Sequence, residues 1–157
     1  MLREMTADDL AFLAAMLADP EVMRFWPAPL SRDESVAWME RQRERYARDG
    51  CGYWLALDRE TGEPMGQAGV LMLEWADHPE PALGYIIHRP FWRRGYAMEA
   101  ARACCDFVRD VLHRPVVYTL IRPQNQPSLG VALKLGMTAG ERIHYHGFEH
   151  IVFSLNL

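Results

Sequence analysis

LGYIIH (residues 83–88), RPFWRRGYAMEA (89–100) and ARACCDFVRDV (101–111) follow one another without a break, and their reading decides the fold. The first is an apolar strand, the second a kinked connection ending in Gly-Tyr-Ala, the third an amphipathic helix. Gly95 at this strand-to-helix turn lets backbone N–H groups approach a ligand closely. The helix behind it adds unpaired N–H groups and the positive end of its dipole. A turn of this construction suits phosphate or pyrophosphate. The stretch is therefore expected to hold a phosphorylated cofactor while the rest of the chain brings a substrate to it.

Upstream, residues 2–5 form at most a short first strand. Thr6 with Asp9 reads as a helix cap, and Leu10, Leu13, Ala14 and Leu17 then recur at helical spacing until Asp19-Pro20. EVMRFW can add one helical turn before Pro27, where Phe25 and Trp26 either wall a substrate site or plug a small core. Ser31 and Glu34 make a capping box for a helix over residues 32–48, with an expected apolar stripe of Val36, Met39, Tyr46 and Ala47. Arg41, Arg43, Arg45 and Arg48, interleaved with Glu40 and Glu44, read as a solvated, salt-bridged face. YWLALD and residues 65–73 form a hairpin around RETGEP, and EWADHPEP leads into the central strand.

Downstream, PVVYTLI is a buried strand, RPQNQ a connection, and PSLGVALKLG a short helix with Pro127 at its start and Gly136 at its end. The last residues read as two strands around His146-Gly147-Phe148. The element order is β-α-α-β-β-β-α-β-α-β-β. An antiparallel meander followed by a β-α-β step predicts an α/β (α+β) fold: a mixed sheet with helices on its faces.

The 157 residues fit one domain, residues 1–157. A formal net charge of −4 argues against a nucleic-acid partner and is mildly compatible with a cationic acceptor such as an amine. Cys51, Cys104 and Cys105 have neither disulfide-framework nor zinc spacing, so reduced thiols in a cytoplasmic protein are expected. MLREMTADDL has no apolar segment typical of a secretory signal, and no apolar run is long enough for a membrane span.

Four phrases in this order resemble the GCN5-related N-acetyltransferase (GNAT) superfamily, in particular its ribosomal-protein alanine acetyltransferase-like (RimJ/RimL) branch. They are MTADDLAFLAAMLADPEVMRFW, LGYIIHRPFWRRGYAMEA, NQPSLGVALKLGM and the closing hairpin. Where the superfamily has Gln/Arg-x-x-Gly-x-Gly/Ala, this chain has Trp92, Arg93, Arg94, Gly95, Tyr96 and Ala97, with Trp92 at the Gln/Arg position. Where the family often has Glu two residues before Gly-Tyr, this chain has Ala82, with Glu80 two residues earlier.

The resemblance implies a mostly antiparallel sheet of six or seven strands with one splayed parallel pair, and acetyl transfer from acetyl-CoA to an amine. Backbone groups of Arg93, Arg94, Gly95, Tyr96, Ala97 and Met98 would hold the pyrophosphate. Ile86, Ile87 and His88 would pair with pantetheine, and Asn125 would bind the cofactor. Ser128 would stand near the thioester sulfur, where the superfamily often has Tyr. Glu80 is the first candidate base, Glu74 the second, the hairpin histidines the third. His144, His146 and His150 could in principle bind metal, but no carboxylate or cysteine reinforces them, and no metal is expected. The acceptor is either a protein N-terminal α-amine or a small-molecule amine, walled by residues such as Phe25, Trp26, Trp38, Trp75 and Tyr145. A non-catalytic acyl-CoA-binding module of the same fold is the alternative, and a homodimer through the closing strands is possible.

Overall fold

The computed structural model describes residues 1–74 and 78–157. Its strands are β1 (Leu2–Arg3), β2 (Tyr53–Leu57), β3 (Pro64–Leu73), β4 (Glu80–Ile87), β5 (Val116–Ile121), β6 (Thr138–Tyr145) and β7 (Phe148–Asn156). Its α-helices are α1 (Leu10–Leu17), α2 (Arg32–Asp49), α3 (Tyr96–Asp110) and α4 (Gln126–Leu135). The strands form one seven-stranded sheet, ordered β1-β2-β3-β4-β5-β7-β6. All neighbours are antiparallel except β4 and β5, which meet in parallel through the single pair Ala82↔Tyr118. The expected mixed sheet and its splayed pair are both present.

Side-chain alternation along β4 divides the core in two. Leu83 packs with Ala101, Cys104 and Val108 of α3 and with Val117 and Phe153. Ile86 packs on the opposite face with Leu13 and Leu17 of α1 and Trp38 and Met39 of α2. The helices therefore cover both faces. All three cysteines are free and buried, and burial raises their thiols to about 11 for Cys51 and Cys105 and about 12 for Cys104. Such thiols are packing groups rather than nucleophiles.

Local signals locate most boundaries. The Asp9 carboxylate accepts from Thr6 N at 2.8 Å and takes a bidentate pair from Arg3 at 2.7 Å, which ties β1 to the first helix. That pair lowers the Asp9 pKa. Ser31 Oγ accepts from Glu34 N (3.2 Å) while Glu34 Oε2 accepts from Ser31 N (2.7 Å), a complete capping box. The buried face of α2 differs from the expected stripe. Val36 and Ala47 are exposed, and the buried residues are Ser35, Trp38, Met39 and Gln42. The reason is polar burial: Gln42 Nε2 donates to the Trp38 carbonyl (3.1 Å) and its Oε1 accepts from Tyr53 N (3.2 Å), so an amide fills a position that a hydropathy pattern assigns to solvent.

The central strand begins at Glu80 and stops before His88, which caps a short 3-10 turn over Arg89–Phe91. The closing hairpin turns through His146 (φ 49°) and Gly147 (φ 81°), with Tyr145 paired to Phe148. Two positive φ angles in a two-residue loop match the twist of antiparallel strands. His146 thus belongs to the turn and does not share a strand face with His144.

Tyr53, Gly69 and Gly84 lie in one row across β2, β3 and β4. A Cβ at Gly69 would stand 1.8 Å from the Gly52 carbonyl oxygen, and one at Gly84 2.3 Å from the Tyr53 hydroxyl. The first contact is with backbone that cannot yield without breaking the ladder. Gly69→Ala is expected to destabilise the fold by more than about 2 kcal/mol, read as a lower urea midpoint at unchanged slope.

Candidate active site

The departure of β4 from β5 creates the site. His88 N donates to Met65 O at 2.8 Å, so this residue turns its backbone toward β3. Antiparallel ladders alternate, and therefore Gly84 and Ile86 also direct N–H and C=O to β3 while Leu83, Tyr85 and Ile87 turn theirs toward β5. Beyond Ala82↔Tyr118, however, β5 is too far away to pair. The Trp92 indole N–H takes the Ile87 carbonyl at 2.6 Å. Tyr85 and the Ile87 amide face the gap. Of the three residues expected to present backbone groups there, only Ile87 has that direction. His88 also accepts from Phe91 N at 3.0 Å, and its ring packs edge-on to Phe12.

A cleft of about 500 Å³ runs through this gap. On the α3/α4 side it is lined by Tyr85, Asn125 and Ser128. Asn125 caps α4, its Oδ1 accepting from Ser128 N at 3.2 Å, which leaves its amide N–H₂ free to donate. Burial raises the Tyr85 phenol above its ordinary pKa, and a hydrogen bond with the Ser128 side chain opposes the rise. Two hydroxyls therefore stand together beside the gap. Tyr85 was not singled out from the sequence, although it is the residue of LGYIIH that alternates to the α4 side.

The opposite side of the cleft is aromatic. Tyr53 stacks on Trp38 (centroids 5.7 Å apart, 25° between planes), and Trp38 meets Trp26 edge-on at 5.3 Å. The Trp38 indole N–H donates to the buried Gln67 amide at 3.1 Å. Tyr53 reaches over Gly84, so its hydroxyl comes to β4 where the strands part. Burial raises its pKa strongly, opposed by the charge of Arg45, so it is a protonated donor at neutral pH. Trp26 thus belongs to both the cleft wall and the core. Trp75 lies outside the described residues.

The closing hairpin supplies Tyr145, His146, Phe148 and His150. His150 Nδ1 lies 3.0 Å from the Phe148 carbonyl, which can only accept, so Nδ1 carries the proton and Nε2 keeps its lone pair. Desolvation lowers the His150 pKa; the Phe148 carbonyl opposes this, while Arg122 and His146 add to it. His144 is exposed and outside the cleft lining. Among the described residues no group of three or more His, Cys, Asp or Glu side chains could hold a metal ion.

Glu80, the first candidate base, is elsewhere. It sits at the start of β4, Oε2 3.1 Å from Arg114 and Oε1 3.0 Å from His78 Nδ1. It lines a separate hollow with Arg114 and Pro115. The gap opens at the other end of the strand, four residues from Glu80 to Gly84, or roughly 13 Å at the usual strand rise. The extended strand that was to carry Glu80 to the site instead holds it away. Glu74 is exposed and not part of the lining.

The glycine turn lies past the end of β4. Gly95 caps α3 with φ +88°, and Arg93 before it has φ 60°. A Cβ at Gly95 would meet nothing within 4 Å, so the space above the turn is open. The N–H groups of Tyr96, Ala97 and Met98 belong to the first turn of α3, and Glu99 N is the first to bond back, to Gly95 O at 3.0 Å. Arg93 and Arg94 are exposed. Neither has an ion-pair partner among the described residues. Free amides, a helix dipole, open space and two guanidinium groups fit a pyrophosphate.

A sheet parted by one splayed parallel pair, with an anion-binding helix end beyond the gap, defines a class of acyl-transfer enzymes. The sequence pattern of the acetyltransferase (GNAT) domain matches residues 1–138, and the chain belongs to that family. It is an acetyltransferase of the GNAT type. A Bacillus subtilis (strain 168) protein described as "Uncharacterized protein YkkB" is 34% identical over 137 residues, covering 87% of this chain and 80% of that one. The crystal structure of an acetyltransferase from Agrobacterium tumefaciens superposes with a TM-score of 0.85 at 24% identity, over 99% of this chain and 90% of that one. The aminoglycoside acetyltransferase AAC(6')-Ib, solved in complex with coenzyme A, superposes with a TM-score of 0.81 at 18% identity, over 99% and 94%.

Gly84 exists to admit the Tyr53 hydroxyl. A methyl group there would push the phenol off β4, and Tyr53 cannot swing freely because it is stacked on Trp38. Gly84→Ala is expected to lower the acetyl-transfer rate by roughly tenfold or more, since displacement of about 1 Å in a reacting geometry is enough for such a loss. Steady-state kinetics of the folded variant checks this.

Proposed function

We propose that this protein moves an acetyl group from acetyl-CoA to a primary amine, by direct attack of the amine on the thioester. The observation that carries the reading is the open Tyr85 backbone and Ile87 amide facing a gap that ends at the α3 N-terminus. Residues 93–98 would hold the pyrophosphate, the Ile87 amide and the Tyr85 backbone would pair with the pantetheine amides as an added strand does, and the Asn125 amide would donate to the same arm. A donor at the gap polarises the thioester carbonyl. Family members take their acetyl group from acetyl-CoA, and one structure with this fold was solved with coenzyme A.

The residues then divide the chemistry. The amine enters between the aromatic wall and the hairpin, and His150 Nε2 accepts the proton it loses. The nitrogen lone pair forms the new C–N bond and the C–S bond breaks. The departing sulfur carries the electron pair, stabilised by the hydroxyls of Ser128 and Tyr85; a thiolate needs little further help because its pKa is only about 8–9. The acceptor is a small-molecule amine or a protein N-terminal α-amine. The RimJ/RimL-like phrases favour the latter, the enclosed aromatic cleft the former. Three reduced thiols fit a cytoplasmic setting.

Two measurements test this. Gly95→Val replaces a residue at φ +88° and fills the open space over the α3 amides. Calorimetry should record acetyl-CoA affinity falling by roughly a hundredfold while thermal unfolding stays cooperative; unchanged affinity in a folded variant would sink the turn assignment. For the base, the His150 pKa is shifted below its usual 6.5. Activity should therefore hold near neutral pH and fall as the imidazole takes a proton below about 6.5. His150→Gln should lower kcat about ten- to hundredfold and leave only the ionisation of the amine in the profile. An unaltered profile would assign the proton elsewhere.

A further inference from the structure

The charges of the acceptor side are one-sided. Arg41 and Arg45 of α2 and Arg122, after β5, line the cleft, and among the described lining residues there is no Asp or Glu. Their helical neighbours Arg43 and Arg48 lie outside the lining and pair with Glu40 and Asp49 at 3.0 and 2.7 Å. Arg41, Arg45 and Arg122 have no carboxylate within ion-pair distance among the described residues. The predicted solvated, salt-bridged arginine face is thus split: Arg43 and Arg48 are paired on the surface, while exposed Arg41 and half-buried Arg45 border the cleft with no carboxylate partner among the described residues.

The cleft-lining half is also positioned. Arg45 Nη1 donates to Gln42 Oε1 at 3.1 Å, the same oxygen that accepts from Tyr53 N, so its guanidinium is tied to the strand carrying Tyr53. Its charge acts on both the Tyr53 and the Tyr145 phenols, which lie on two walls of the cleft. Arg41 stands 5.8 Å from the Trp38 ring. Arg122 donates to the Phe25 carbonyl at 3.0 Å and lies 4.0 Å over the Phe148 ring, joining the loop before α2 to the hairpin. Glu74 is near enough to act on Tyr145 and Arg48, but it is exposed and outside the lining.

From this arrangement, and resting on the amine-acetylation reading, we infer that the acceptor is an amine that also carries a carboxylate, with Arg45 and Arg41 as its carboxylate-binding residues. The Arg45 guanidinium, half-buried and held by the buried Gln42 amide, offers fixed N–H donors to a planar anion, and exposed Arg41 adds its charge at the cleft edge. The apolar part of the acceptor lies against Trp38 and Tyr53. Polycationic amines meet repulsion from three guanidinium groups and find no carboxylate among the described lining residues. The same chemistry is offered by a free amino acid and by a peptide with an acidic side chain next to its N-terminus.

The test ranks amines by thiol release from acetyl-CoA, and by calorimetric binding to the CoA-loaded protein, which needs no turnover. The panel holds glutamate, glycine and γ-aminobutyrate, their amides, Ala-Asp and Ala-Lys peptides with amidated ends, and spermidine. Carboxylate-bearing amines should exceed their amides by roughly ten- to hundredfold in kcat/KM or affinity, with spermidine last. Arg45→Gln and Arg41→Gln should shrink that preference, with KM rising roughly tenfold or more for the acids and much less for their amides. Preference for the acidic peptide over the free amino acids identifies the peptide source, and the reverse the small-molecule source. Spermidine ranking first, or equal losses for acids and amides in both variants, overturns the inference. Failure of the protein to bind acetyl-CoA would instead remove the donor reading beneath it.

Discussion

The structure depends on the failure of β4 and β5 to pair beyond Ala82↔Tyr118. A parallel neighbour that continued alongside would use the Tyr85 and Ile87 backbone groups and leave a closed sheet. Because it diverges, polar backbone faces an opening in the centre of the domain, and such groups need a partner from water or ligand. The antiparallel partners on the outer sides keep each strand rigid: β3 pairs with β4 along its whole length, and β7 pairs with β5 along its whole length. The gap is therefore a fixed feature with stiff walls, the condition for binding an extended ligand without first ordering the protein.

Trp92 gives that gap its end. The related pattern has Gln or Arg at this position, where this chain has an indole. Its N–H instead holds the Ile87 carbonyl, the last gap-facing acceptor of the strand, and its ring packs with Phe91 and Met65 beneath the turn. This contact couples the strand end to the residues that lead into Gly95. In the proposed pose, a donor arm along β4 and a pyrophosphate at α3 would be separated by this one connection, whose geometry would set their spacing.

Element order, the β-α-β step, the Gly95 turn and the capping boxes were legible because each rests on local chemistry: periodicity, a positive φ, a side chain closing a helix end. The sites that were missed depend on what lies across the sheet. Glu80 has the right residue type on an extension of the right strand, but Arg114, thirty-four positions away in sequence, holds it at the wrong end. Tyr53 reads as an ordinary strand residue until Gly69 and Gly84 are seen in its row. The arginines of α2 were partly legible. Trp38, Arg41, Gln42 and Arg45 follow helical i, i+3, i+4, i+7 spacing, and taking Trp38 and Gln42 as the buried face would have separated Arg41 and Arg45 from the rest. Aliphatic patterning chose Val36 and Ala47 instead, because it has no way to register an amide buried by hydrogen bonds.

Net charge misleads for a related reason. At −4 the whole chain suggests a mild attraction for cations, yet salt screens exposed charges over about 8–10 Å. An amine in the cleft would be governed by the groups around it, and the fixed charges among the described lining residues are the guanidinium groups of Arg41, Arg45 and Arg122. Their effect on the proposed reaction has a useful sign. A positive environment disfavours the ammonium form and so lowers the amine pKa, which makes the nucleophilic free base more abundant at neutral pH. A carboxylate at the position where Ala82 stands would act in the opposite sense on the ground state, holding the ammonium until it took the proton itself. With Ala82 in place of that carboxylate, the cleft can lower the cost of deprotonation through its field and leave transfer of the proton to a neutral imidazole. The same field attracts a carboxylate on the acceptor, and the anion it binds must sit far enough from the amine not to cancel it.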